Sequence, residues 1–124
     1  MEFVKHLKNA EELEEERHEL IRAGLPAEHI PQFSNHIQFN NGLSLSVQAS
    51  FGHYCSPRKT LPYDQYTSME VALIHNDEFK QVKDYIKTDI FEEYYNGTVY
   101  GFVPVEKIEW LYDVLKNTYG LKGE

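Results

Sequence analysis

A single cysteine, Cys55, stands among the 124 residues, which excludes an internal disulfide and a cysteine-built structural zinc site. No apolar run approaches the roughly 18 residues that a membrane-spanning helix needs. Met1–Lys8 lacks the hydrophobic stretch of a secretory leader, so a cytoplasmic chain is expected. Positive charge is scarce: 12 Lys and Arg against 20 Asp and Glu leave a net charge of −8. A duplex nucleic-acid binder needs a basic surface to displace counterions, and that class is excluded. The six histidines form no H-E-x-x-H, no H-x-H and no pair at i, i+4, so no metal centre is expected. Glycine loops of the Walker or Rossmann kind, which cradle phosphates, are also missing, and no cofactor is expected.

Aromatic residues, by contrast, are abundant: nine Tyr, seven Phe and one Trp. Tyr joins a large apolar ring to a polar tip, which suits interfaces and ligand pockets as well as β-rich cores. The acid is unevenly spread. Residues 1–34 carry eight acidic and four basic side chains, and residues 69–124 carry eleven and six. Residues 35–68 hold only Asp64 against Arg58 and Lys59, a local excess of one positive charge in an acidic chain.

The length fits one domain, residues 1–124, with residues 1–34 as an N-terminal helical arm and 35–124 as a sheet plus closing helix. Asn9 followed by Glu12 has capping-box spacing, predicting a helix over Ala10–Ala23 that Gly24 ends in the left-handed region. Its few apolar residues, Ala10, Leu13, Leu20 and Ile21, make it a solvated lid or arm. Leu25–Phe33, with Pro26 and Pro31, is a linker laying Ile30 and Phe33 on the body. Ile37–Asn40, Asn41-Gly42 and Leu43–Ala49 read as a hairpin with a type I′ turn. In its second strand Ser44, Ser46, Gln48 and Ser50 form a polar row, either solvated or facing a ligand. Phe51–Thr67 is a long irregular loop, Ser68–Ile74 a strand, and His75–Glu78 a turn into a strand over Phe79–Val82. Asp84–Tyr95 is open between a short helix and an insertion. Asn96-Gly97 turns into a strand over Thr98–Phe102. Pro104 opens a last helix at its first position, with Val105, Ile108, Leu111, Tyr112 and Leu115 facing the sheet. The fold class is therefore α+β: a small antiparallel sheet of four to six strands, an acidic N-terminal helix and an amphipathic C-terminal helix.

Catalysis has little to rest on. Cys55 lies two residues from His53, but neither a glycine-flanked elbow nor a helix start follows it; a buried structural cysteine is expected. The carboxylate runs Glu14-Glu15-Glu16 and Glu92-Glu93 read as solvated surface. Binding has more: the Phe51–Thr67 loop gathers Phe51, His53, Tyr54, Tyr63 and Tyr66 beside Arg58 and Lys59. Aromatic faces stack bases, and a guanidinium fork grips phosphate. A surface loop whose aromatics plug the sheet would present the same residues. Asn96 and Thr98 add polar groups from the second turn, where plain turn chemistry also accounts for them.

The order L-S-V-Q (45–48), H-Y-C-S-P-R (53–58), M-E-V-A-L (69–73), V-Y-G-F-V-P (99–104) and E-K-I-E-W-L-Y-D-V-L (106–115) resembles the first-described family of phage anti-Thoeris proteins. These are nucleotide sponges that capture the signal of bacterial TIR-domain defence enzymes. The resemblance spans roughly residues 37–117 and leaves the N-terminal helix outside. It implies a non-catalytic phage protein acting in the host cytoplasm in immune evasion. The implied ligand is a cyclic ADP-ribose isomer, held at the subunit boundary of a homodimer or larger homo-oligomer, with Tyr54 and Arg58 as matched ligand residues. Phe51, His53, Lys59, Tyr63, Asn96 and Thr98 join them on chemistry alone. Two rivals stand beside this reading. One is an acidic inhibitor, such as an anti-CRISPR, using its Glu-rich helix on a basic protein partner; the other is a nucleotide hydrolase.

Overall fold

The structure is a computed structural model that describes residues 1–124. It contains two α-helices, α1 (Glu11–Arg22) and α2 (Val105–Tyr119), and five strands: β1 (Ile37–Gln38), β2 (Leu43–Gln48), β3 (Ser68–His75), β4 (Glu78–Lys80) and β5 (Tyr100–Pro104). All pairings are antiparallel, as expected of an α+β chain of this kind. The central strand is β3. β2 runs along one edge of it, and β4 and β5 share the other, β4 pairing with Leu73–His75 and β5 with Ser68–Val71.

Alternation builds the core. Leu43, Leu45 and Val47 of β2 and Met69, Val71 and Leu73 of β3 are wholly buried, and Ile108, Leu111, Tyr112 and Leu115 of α2 close over them. The same cluster takes in Phe3 and Leu7, so the first ten residues belong to the body. Only α1 stands apart, with no buried residue. No helix is long and apolar enough to cross a membrane.

Several local expectations change. α1 starts one residue later than its spacing predicts, at N-cap Ala10, without a side-chain cap. Asn9 is taken by tertiary partners: its amide donates to Glu14 and Gln32, and its carbonyl oxygen accepts from the Tyr63 hydroxyl. The type I′ turn lies at Asn76-Asp77, with φ of 54° and 62°, where it joins β3 to β4. At the first hairpin only Gly42 has positive φ, and Gly42 donates to the Phe39 carbonyl. That is a longer turn ending in a left-handed glycine. The Asp84–Tyr95 stretch is neither helix nor strand but turns flanked by 3-10 segments at Val82–Asp84 and Glu92–Tyr94. Strand β5 begins two residues late because the Asn96 side chain and backbone tie up residues 96–99. Pro104 is the N-cap of α2, one position before its first helical residue.

Most of the polar row of β2 is closed to solvent and ligand alike; Ser44 alone stays half-buried. Ser46, Gln48 and Ser50 are buried; Gln48 donates to Ser46 Oγ and meets the chain at Ser34, while Ser50 faces His53. The Gln48 amide accepts from Ser34 N–H at 2.8 Å and donates to the Ser34 carbonyl at 3.0 Å. It thereby acts as a missing strand partner. Gln32 likewise donates to the carbonyls of Ala49 and Leu61. Buried polar atoms must be paired, and here two glutamine side chains pair backbone groups at Ser34, Ala49 and Leu61 that lie outside the strands.

Candidate functional site

The loop joining β2 to β3 is an Ω-like excursion, pinned from inside. Tyr66 sits at its centre, 5% exposed; its hydroxyl accepts the Leu61 N–H at 2.8 Å and donates to the Lys59 carbonyl at 2.6 Å. Thr60 ties the loop to the strap before β1, donating to the Ile30 carbonyl and accepting the Phe51 N–H. Ser56 bridges to Ser68 at the start of β3. This frame turns some side chains inward and others out.

His53 points inward. Its ring is buried, Nδ1 lies 2.6 Å from Ser50 Oγ, and Phe33 packs edge-on at 5.1 Å. Burial lowers its pKa, with Glu70 opposing and Arg58 adding to the shift. Cys55 is buried too, its thiol directed to the carbonyls of Ser50 and Pro57 and pushed up in pKa by burial. The two do not hydrogen-bond to each other. Tyr63 also turns in, its hydroxyl on Asn9, and burial raises its pKa far above the ordinary value. Lys59 reaches Glu28 at 3.8 Å. Phe51 is exposed, its ring 5.2 Å from His29.

Tyr54 and Arg58 turn outward together. The guanidinium sits 5.6 Å from the Tyr54 ring centroid, and Nε donates to the Phe51 carbonyl at 3.2 Å. None of the six ion pairs in the molecule involves Arg58. Tyr54 also meets β5: Phe102 N–H donates to its carbonyl at 3.0 Å, and the two rings lie 5.9 Å apart. The intervening residue must be small. A Cβ on Gly101 would stand 3.2 Å from Tyr54 Cβ, tighter than ordinary packing.

Beside this pair opens a cleft of about 390 Å³, lined by Tyr54, Phe102, Tyr94, Tyr95, Asn96 and Glu93 with Gly101. Its volume falls within the roughly 300–1,000 Å³ of small-molecule sites. Asn96, expected from the second turn, therefore joins Tyr54, whereas Thr98 is exposed and lies outside the lining. A second cation lies against a lining residue: Lys107 of α2 sits 4.9 Å from the Tyr94 ring centroid, 3.0 Å from its hydroxyl and 3.4 Å from Glu93. The hydrogen bond to Tyr94, then Glu93, raises the Lys107 pKa. Two lining tyrosines of this aromatic cleft thus each hold a cation against the ring, Arg58 on Tyr54 and Lys107 on Tyr94, and Glu93 is the one carboxylate in the lining.

Phe102, Tyr94, Tyr95 and Lys107 were not foreseen from the sequence. The 82–95 turns have no periodicity to place them, and Lys107 reads as a solvated position of α2. Phe102 carries one signal only in the structure: it holds φ of 54° with 48% of its surface exposed. No three His, Cys, Asp or Glu side chains converge as metal ligands. Comparison with family models, with curated proteins and with solved structures finds no match for the chain.

Proposed function

We propose that this protein binds and sequesters a small cyclic nucleotide, leaving it intact. The class implied by the sequence resemblance is a cyclic ADP-ribose isomer, taken up in the host cytoplasm as an anti-defence activity. One observation carries the reading: the Arg58 guanidinium, free of any ion pair, lies against Tyr54, a lining residue of an aromatic cleft whose Tyr94 holds Lys107. A base stacks on tyrosine or phenylalanine faces for about 1–3 kcal/mol each, while a guanidinium takes a phosphate through two parallel hydrogen bonds. Asn96 supplies an amide for the base or ribose.

The cleft is open on one side. A second copy of the chain closing over it would wall in the ligand, which accords with a homodimer or larger homo-oligomer. The residues assigned to the ligand are Tyr54, Arg58, Asn96, Phe102, Tyr94 and Lys107. Phe51 and Lys59 lie at the loop's outer margin, and His53 and Tyr63 support the loop from within.

Calorimetric titration with cyclic ADP-ribose isomers tests the reading, followed by heating the complex and identifying what is released. Stoichiometric binding and release of unchanged ligand are expected. Product accumulating at substoichiometric protein would make it an enzyme, and no heat with any nucleotide would overturn the assignment.

A further inference from the structure

A second surface has no part in the Tyr54 cleft and shares no lining residue with it. Helix α1 carries Leu13, Arg17 and Leu20 at i, i+4 and i+7, one stripe that should pack on the body. It does so incompletely. Between this stripe and the strap at Ile30–Phe33 runs a groove of about 210 Å³, and Leu13, Leu20 and Phe33 remain 41%, 38% and 44% exposed along it.

The charge on the helix is as unusual as its exposure. Six glutamates stand against Arg17 and Arg22, net −4 with His18 neutral. Only Glu14 is paired, to Arg17 at 3.7 Å and His18 at 3.3 Å. Glu11–Glu15, Glu12–Glu16 and Glu15–Glu19 are like charges at i, i+4, a spacing that destabilises a helix. Glu11 and Glu12 gain something from the helix N-terminus, but Glu15, Glu16 and Glu19 do not. A twelve-residue helix with no buried side chain has little packing to offset that repulsion. An occupant that covers the leucines and brings positive charge to the ridge Glu12, Glu16, Glu19 would relieve both defects.

From this combination we infer that the α1 groove docks a basic amphipathic helix of another protein, its apolar residues between Leu13, Leu20 and Phe33 and its Lys or Arg against the glutamate ridge. A second copy is a poor occupant, because it would set two helices of charge −4 against each other.

The test uses the full chain and a synthetic peptide of about 18 residues, long enough to span the roughly 18 Å of α1. The peptide contains Leu and Lys with Leu at i, i+3, i+4 and i+7; its control has the same composition scrambled to leave no apolar face. Amide chemical shifts should move along α1 and residues 30–33, and affinity for the scrambled peptide should be at least about tenfold weaker. Leu20→Ser should weaken binding similarly. Glu12→Gln/Glu16→Gln/Glu19→Gln should weaken it while raising the melting temperature, since the same change removes repulsion within the free helix; a merely structural role for these glutamates would not couple the two in opposite directions. Equal binding of the scrambled peptide, shifts confined elsewhere, or unchanged affinity in the variants would overturn the inference. So would self-association through this face that Leu20→Ser abolishes. None of these variants touches the Tyr54 cleft, so cyclic ADP-ribose titrations on them report separately on the nucleotide reading.

Discussion

Arg58 holds its guanidinium 5.6 Å from the Tyr54 ring centroid while its Nε is fixed on the Phe51 carbonyl. One hydrogen bond and one aromatic face therefore orient the group, and the terminal nitrogens stay free for an anion. The fork is presented before a ligand arrives, which lowers the ordering cost of binding.

Arg58→Ala should therefore weaken nucleotide binding by about 1.5–3 kcal/mol, on the scale of hydrogen bonds to charged groups. That is roughly ten- to a hundred-fold in Kd. Arg58→Lys should recover only part of it, because a lysine neither forks nor stacks as a plane. Tyr54→Ala should cost about 1–3 kcal/mol through lost stacking. Calorimetry on the three variants checks this, and an Arg58→Ala protein with unchanged affinity would remove Arg58 from the site.

Glu93 lies on the rim of the same cleft and 3.4 Å from Lys107. Toward an anionic ligand it is a repulsive neighbour that also occupies a useful cation. Glu93→Gln should tighten binding by about 0.5–1 kcal/mol, the size of an exposed charge interaction. The gain should shrink as salt rises, because exposed charges are screened beyond about 10 Å at 0.1 M. A weakened Glu93→Gln protein would mean that the carboxylate itself contacts the ligand, and an unchanged one that its charge does not act on it.

Phe102 pays for its position in backbone conformation. It sits in β5 beside a register shift opposite Met69–Val71, at φ of 54°, a region costly for a bulky L-residue. Its ring is half exposed, so core burial does not explain it; its contact with the neighbouring Tyr54 ring does. Comparing Phe102→Gly with Phe102→Ala isolates the backbone term, since both remove the ring. Glycine should be the more stable by about 1 kcal/mol in denaturant unfolding, the reverse of the usual order in a strand. Both should lose nucleotide affinity. Alanine proving more stable than glycine would show that no strain is stored there.

The parts of this molecule legible in the sequence are those set by period and punctuation. Alternation in β2 and β3, helical spacing in α2 and the left-handed Gly24 each declare themselves within a few residues. Tertiary competition is what local rules miss. Asn9 has the chemistry of an N-cap, yet Tyr63 and Gln32, distant in sequence, claim it. The serine and glutamine row of β2 reads as solvated or ligand-facing until the Ser34 backbone pairs with Gln48. For the site, composition points to Arg58 and Lys59 in the one stretch of net positive charge, and only the family resemblance matches Arg58 together with Tyr54. The Tyr94–Lys107 contact depends on how the turns at 82–95 lie against α2, and no periodicity encodes that.

Tyr66 tests whether the loop is held from its centre. Its buried hydroxyl accepts one backbone N–H and donates to one carbonyl. Tyr66→Phe leaves the ring packing unchanged but strands the Leu61 N–H, and an unsatisfied buried group costs about 1–3 kcal/mol. Hydrogen exchange at Leu61 and Phe51 should quicken well before the β2–β3 core does. Uniform loss of protection throughout the chain would mean that the loop is not a separately held unit.

Stability should also depend on pH through His53. Burial lowers its folded pKa below the ordinary 6.5 or so of an unfolded histidine. Above about pH 6.5 the ring is neutral in both states, and its contribution is fully present. Below that value the unfolded chain takes a proton that the folded one resists, so the unfolded state binds more protons and stability falls as pH drops. The loss accumulates from about pH 6.5 down through the folded pKa and then levels off. Ser50 faces Nδ1, Phe33 covers the ring edge, and Glu70 and Arg58 act on it in opposite directions; burial therefore decides the sign. His36 is lowered from the same cause, so His53→Gln should flatten only part of the slope in denaturation midpoints measured between pH 7.5 and about 5. If the wild-type and His53→Gln slopes coincide, His53 titrates alike in the folded and unfolded chain, and the buried Ser50–His53 pair is not what makes the loop sensitive to acid.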